Sequence, residues 1–295
     1  MTTKSITKLR WQKTSRDDDI LVALARCPLT AEEILKLSQT WSQPFQSLRR
    51  VQERMKDLTA AGQLHSWRYA TTGPGGARLY YKLTLAGYRT VMQDDQIEPP
   101  TKRFFQEISP GRHRHQRALS QFIVQTYVAA HHRGIKVIDF HPENTFRIDC
   151  GERPLWPDTR FTLALPNGTQ FSYCVELDNS TESVLSYKSA DSISSKMGRY
   201  LVDMVVMPQP YRVLFAITGS PDRLRHIVDA ASQYKISEQS LAPFYVVLLD
   251  DYLAHPDAFF RPCFHSPQNR NISLLRSQSR QFQDSSALLE RPKAL

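Results

Sequence analysis

Trp156-Pro157-Asp158 and Cys174-Val175-Glu176-Leu177-Asp178, separated by Pro166-Asn167-Gly168-Thr169, are the stretches whose reading decides the fold. Each short segment lies on a run that reads as a β-strand, and the Pro-Asn-Gly cluster between the runs is turn chemistry. The pair therefore predicts an antiparallel hairpin, with Asp158 at the start of one strand and Glu176 and Asp178 near the end of the other. Those two ends lie side by side. Side chains at i and i+2 leave the same face of a strand, so Glu176 and Asp178 point the same way. Three carboxylates are then expected within about 6 Å of a common point, where they repel unless a cation joins them. Oxygen-only ligation suits Mg²⁺ or Mn²⁺. The plain alternative is three acids rimming a solvated strand end, and the pattern alone does not choose between the two.

Working outward, residues 115–133 read as a helix with Leu119, Phe122, Ile123 and Tyr127 along one side. Gly134 ends it, and residues 135–140 read as a strand. Beyond the hairpin, residues 180–204 read mostly as helix and 211–218 as a near-continuous apolar strand, which is how a buried strand looks. Ser220-Pro221-Asp222 caps a helix to about residue 232, and residues 244–249 form another apolar strand. The order α-β, hairpin, α-β-α-β predicts a mixed sheet flanked by helices over residues 112–268.

The first ninety residues differ in kind. Asp17-Asp18-Asp19 offers a start for the apolar helix at 20–25, and Thr30 caps a second helix carrying Glu32 and Glu33 in its first turn. A third helix is expected over residues 45–61, with Phe45, Leu48, Val51, Met55 and Leu58 inward. Gln46, Arg49, Arg50 and Arg54 occupy the other side. Two strands, 63–70 and 77–83, flank the Gly-rich tip Thr71-Thr72-Gly73-Pro74-Gly75-Gly76, with Arg68 and Arg78 beside it. Three helices and a basic β-wing in that order predict a winged helix-turn-helix over residues 15–92. Its DNA contacts are expected from Gln46, Arg49, Arg50, Arg54, Arg68 and Arg78. Residues 93–111 read as a linker with Lys102 and Arg103, and 269–295 as a flexible basic tail containing Arg276-Ser277-Gln278-Ser279-Arg280.

Bulk properties agree with a nucleic-acid partner. The chain has 295 residues, 38 Lys and Arg against 29 Asp and Glu, and a net charge of +9. A polyanion such as double-stranded DNA is the simplest partner for that balance. The four cysteines fall in no CxxC pair, which argues against a zinc finger. The N-terminal stretch has no apolar signal core, and no run approaches the roughly 18 apolar residues of a membrane helix. A cytoplasmic protein with no membrane association is expected.

Pro157-Asp158 at a strand start and Glu176-Leu177-Asp178-Asn179-Ser180-Thr181-Glu182 at the end of the next resemble the PD-(D/E)xK restriction-endonuclease-like fold. With Arg78-Leu79-Tyr80-Tyr81-Lys82-Leu83-Thr84, Gly87-Tyr88, His115, Lys196 and Tyr200, the arrangement over residues 17–250 is similar to the plasmid replication-relaxation family. That resemblance implies an α/β (α+β) architecture: an N-terminal winged helix-turn-helix followed by a mixed-sheet endonuclease-like domain. It also implies a metal-dependent DNA endonuclease or nickase of plasmid or mobile-element replication. Asp158, Glu176 and Asp178 would then hold Mg²⁺ or Mn²⁺. Asp178 stands where the nuclease pattern has lysine. A lysine from the following helix is expected to replace it, Lys196 ahead of Lys188, because Lys196 and Tyr200 are four residues apart on one helix face. For His115 a structural hydrogen bond is the favoured role over a phosphate or metal contact, and for Glu182 a helix cap. A non-catalytic DNA-binding regulator or replication accessory factor on a degenerate nuclease fold stays open, as do a homodimer and contacts with replication or transposition proteins.

Overall fold

The structure, a computed structural model, describes residues 12–70, 77–92, 100–150, 153–180, 183–185, 192–207 and 210–275. α1 (Ser15–Arg26) begins earlier than Asp17-Asp18-Asp19 suggests, because the Thr14 N–H donates to Asp17 Oδ2 at 2.7 Å and Thr14 becomes the cap. β1 (Leu29–Thr30) leads into α2 (Ala31–Leu37). There the Thr30 N–H donates to Glu33 Oε2 and the Glu33 N–H to Thr30 Oγ1, a reciprocal box at the expected place. α3 (Leu48–Ala60) starts after Ser47, whose hydroxyl accepts from the Arg50 N–H. Phe45 is buried ahead of that cap and Gln46 lies outside the helix. Val51, Met55 and Leu58 are fully buried at helical spacing.

β2 (Leu64–Arg68) and β3 (Leu79–Leu83) pair antiparallel, and β1 adds to β3, giving the order β1-β3-β2. Three helices on this small sheet make a winged helix-turn-helix. The wing tip at residues 71–76 lies outside the described residues. α4 (Leu85–Met92) closes the module.

The expected linker is packed where it is described. α5 (Lys102–Phe105) sets Phe104 and Phe105 edge-on to Tyr88, the Ile108 N–H donates to Tyr80 Oη, and the buried Lys82 ammonium donates to Arg103 O and Gln106 O. α6 (His113–His132) then packs on α2, with Lys36 Nζ donating to Gln125 Oε1 and Ser120 Oγ to Pro28 O. One continuous apolar cluster runs from Ile20 and Leu24 through Leu119 and Phe122 into the sheet.

The second half contains β4 (Lys136–His141), β5 (Thr159–Ala164), β6 (Gln170–Asp178), α7 (Ile193–Val206), β7 (Arg212–Ile217) and α8 (Pro221–Ala231). After them come β8 (Lys235–Ser237), β9 (Ser240–Leu241), β10 (Phe244–Leu248), α9 (Leu249–Ala254), β11 (Phe264–His265) and β12 (Asn271–Ile272). Seven strands form the main sheet in the order β12-β11-β10-β7-β6-β5-β4. β4, β5 and β6 run antiparallel, while β6-β7 and β7-β10 are parallel, so the sheet is mixed. Val213 to Ile217 is buried on both faces, as a central parallel strand requires. The α6-β4-β5-β6-α7-β7-α8-β10 order is the one the sequence predicts. α9 was not anticipated, nor was the closing pair β11-β12. Phe259, Phe264, Leu274 and Leu275 pack into the core, so residues 269–275 belong to the fold rather than to a loose tail. Residues 276–295 lie outside the described residues.

Candidate functional site

The β5–β6 hairpin places the site. Thr159 stands opposite Val175, and the Asp158 N–H donates to Val175 O at 3.0 Å, so Asp158 lies beside the end of β6. Its Oδ2 accepts from the Leu177 N–H at 2.7 Å, which fixes the carboxylate and turns Oδ1 the other way. Asp158 Oδ1 lies 3.2 Å from His115 Nε2. Glu143, from the loop after β4, brings Oε1 to 3.5 Å from the same nitrogen and is held by Arg112. One ligand atom from each of His115, Glu143 and Asp158 lies within 4.8 Å of the other two. His115 Nε2 is buried within ion-pair distance of both oxygens.

Across β6 the surroundings change. Glu176 is 2% exposed. Lys196 Nζ donates to its Oε2 at 3.1 Å and Tyr200 Oη to its Oε1 at 2.7 Å. The i, i+4 pair on α7 thus grips both oxygens of one carboxylate. Burial and the Asp158 charge push the Glu176 carboxyl up to about 7, against the pull of Lys196. Burial also opposes ionisation of Asp158, but His115, the Leu177 N–H and Lys196 outweigh it and hold the group below the usual carboxylate range. Burial alone would lower the His115 pKa, yet Asp158 and Glu143 raise it to about 10, so the imidazole is charged at neutral pH.

Asp178 departs from the expected trio. Arg223, in the first turn of α8, donates from Nε and Nη2 to its two oxygens, both at 2.8 Å. The approach is close: a Cβ on Gly219 would lie 2.3 Å from Ser180 Oγ, so a larger residue there would have to turn the Ser180 hydroxyl aside. Sharing a strand face with Glu176 brings Asp178 to a different partner, because the bidentate Arg fork satisfies its carboxylate outright. Asp158, Glu176 and Asp178 do not form a cluster of mutually close ligand atoms as His115, Glu143 and Asp158 do.

On the winged helix, Arg49 and Arg50 are exposed, and Arg49 pairs with Glu53 at 2.9 Å. Gln46 and Arg68 are exposed, with Arg68 donating to Ala77 O, and Arg78 lies 3.9 Å from Glu32. Arg54 does not join them. Its guanidinium clamps the fully buried Asp17 and so ties α3 to α1. Lys188 and Glu182 lie outside the described residues. Sequence reasoning missed Arg112, Glu143 and Arg223, whose roles depend on partners 31 or 45 positions away and leave no local signal. His113, also unremarked, accepts from the Ala70 N–H and faces Ile108 O at 2.8 Å, tying the end of the wing to α6.

The fold and site define a winged helix-turn-helix module fused to a mixed-sheet α/β domain with a buried carboxylate–lysine cluster. The replication-relaxation family model matches residues 28–202, and the chain belongs to the replication-relaxation family. Among solved structures, the chain is similar to Bacillus subtilis PadR in complex with operator DNA. The identity is 16% over 42% of this chain and 75% of that one, with a TM-score of 0.25, too low to carry an argument. No curated protein matches. No helix among the described residues is long and apolar enough to cross a membrane.

Proposed function

We propose that this protein binds double-stranded DNA through its winged helix and cleaves or nicks it at the Asp158–Glu176–Lys196 cluster. The observation that carries the reading is Lys196. A buried glutamate at the end of β6 holds an ammonium from α7 beside Asp158, where a lysine missing from the strand itself would be needed. Such a charge stabilises the extra negative charge that develops on a phosphodiester under attack. Tyr200 fixes the other oxygen of Glu176 and keeps the lysine in register. Membership of the replication-relaxation family supports a role in plasmid or mobile-element replication. With it come a cytoplasmic location, contacts with replication or transposition proteins, and a homodimer as further parts of the reading. Exposed Arg49 and Arg50 supply the phosphate contacts.

The expected Mg²⁺ site does not fit its three carboxylates. Arg223 takes both oxygens of Asp178, and Lys196 and Tyr200 take those of Glu176. The same observation favours a second reading, a non-catalytic DNA-binding regulator in which protein cations neutralise a former cleavage site. Supercoiled plasmid incubated with Mg²⁺ or Mn²⁺ tests the choice. Conversion to open-circular or linear product by the wild type and not by Asp158→Ala supports cleavage. Firm duplex binding without any product from the wild type supports the regulator.

A further inference from the structure

We propose that His115, Glu143 and Asp158 form a site for one divalent transition-metal ion. This deepens the cleavage reading by naming the ion's ligands, but the site stands without cleavage.

Three observations carry it. His115 Nε2 lies 3.2 Å from Asp158 Oδ1 and 3.5 Å from Glu143 Oε1. Ligands about 2.0–2.2 Å from one ion sit roughly 3–3.6 Å apart at neighbouring corners of an octahedron or tetrahedron. Next, Nε2 is buried and makes no aligned hydrogen bond with either oxygen. A buried imidazole nitrogen within 3.5 Å of both carboxylates suits an ion that all three contact. Finally, the donors are already oriented from behind. The Leu177 N–H holds Asp158 Oδ2 and leaves Oδ1 for the site, and Arg112 anchors Glu143. Such outer contacts are the usual support of a metal centre.

The donor set selects the ion. One imidazole and two carboxylates suit Zn²⁺ or Mn²⁺, whereas Mg²⁺ prefers oxygen alone. Of the three ligands, Glu143 lines an open cavity of about 760 Å³ together with Arg112.

The test is calorimetric titration of chelator-treated full-length protein with Mn²⁺ and with Zn²⁺, paired with melting curves. One saturable site is expected, tighter than for Mg²⁺, with a rise in melting temperature on binding. Glu143→Gln and His115→Asn should each weaken affinity about 100-fold or more, since even indirect contacts are worth 10- to 100-fold. Glu176→Gln should leave it within about 3-fold, because Glu176 is not among the three ligands and its oxygens are held by Lys196 and Tyr200. Melting curves of each variant show whether it is folded, so either substitution can serve alone. Absence of a saturable site, or loss of binding in Glu176→Gln with retention in Glu143→Gln, overturns the proposal. Metal binding that follows this pattern without plasmid cleavage removes the nuclease reading and leaves the site standing.

Discussion

The exposed face of α3 and the buried end of β6 are both built from charged residues, yet they obey different rules. On α3, Arg49 has 87% of its side chain exposed and shares only a surface pair with Glu53. At β6, the side chains of Glu176 and Asp178 are 3% and 1% exposed, and each is held by a specific cation. Water screens the first set, so its members act additively through long-range attraction to phosphate. A low-dielectric interior leaves the second set no such relief, and each charge needs a fixed partner. Surface charge here suits recognition, while buried charge suits geometry.

The comparison is broken most severely at Arg223. Arg223→Ala leaves the buried Asp178 carboxyl without its guanidinium partner, and should cost about 3–5 kcal/mol of stability by denaturant unfolding. A loss below about 1 kcal/mol would mean that water reaches Asp178 and that the two regions are less different than stated. Arg54→Ala comes next. Although Arg54 is on α3, it belongs with the buried set through Asp17, and should cost about 2 kcal/mol without changing the salt dependence of DNA binding.

The Glu176 carboxyl, pushed up to about 7 from an unfolded value of 4.5, makes the folded chain bind more protons than the unfolded chain between those limits. Stability should therefore fall as pH rises from about 4.5 to 7, by up to about 1.4 kcal/mol per pH unit from this group. In Glu176→Gln that component of the slope should vanish, as melting curves across this window would register. The smallest effect on the fold is on α3. Arg49→Ala with Arg50→Ala should leave stability within about 0.5 kcal/mol yet flatten the log–log salt dependence of duplex binding by about 2.

What the sequence revealed follows the same division. Thr30 and Ser220 announce their helices because a cap acts within three residues, and both sit where expected. The hairpin, the apolar run at 213–217 and the sided third helix were legible because periodicity is local. Lys196 and Tyr200 were visible as a pair, since helical spacing brings them together before any tertiary contact forms. Arg54 looked like its neighbours Arg49 and Arg50, because nothing near it in the chain reveals Asp17. The commitment of Asp178 to Arg223 was hidden for the same reason, as was the approach of Glu143 to His115. α9 and residues 264–275 were missed because their elements are short and are shaped by packing against Tyr252 and Phe259 rather than by an internal pattern.

The account rests most directly on Lys196, and one paired measurement on Lys196→Ala reaches it. Duplex affinity and plasmid cleavage would be read from the same preparation, at fixed salt and with Mn²⁺ present. Loss of one half-buried ammonium should leave affinity within about 3-fold, because binding draws on many surface charges, while cleavage falls about 100-fold or more. Cleavage at the wild-type rate in Lys196→Ala would contradict the claim that the Glu176–Lys196 pair is the working centre of the protein.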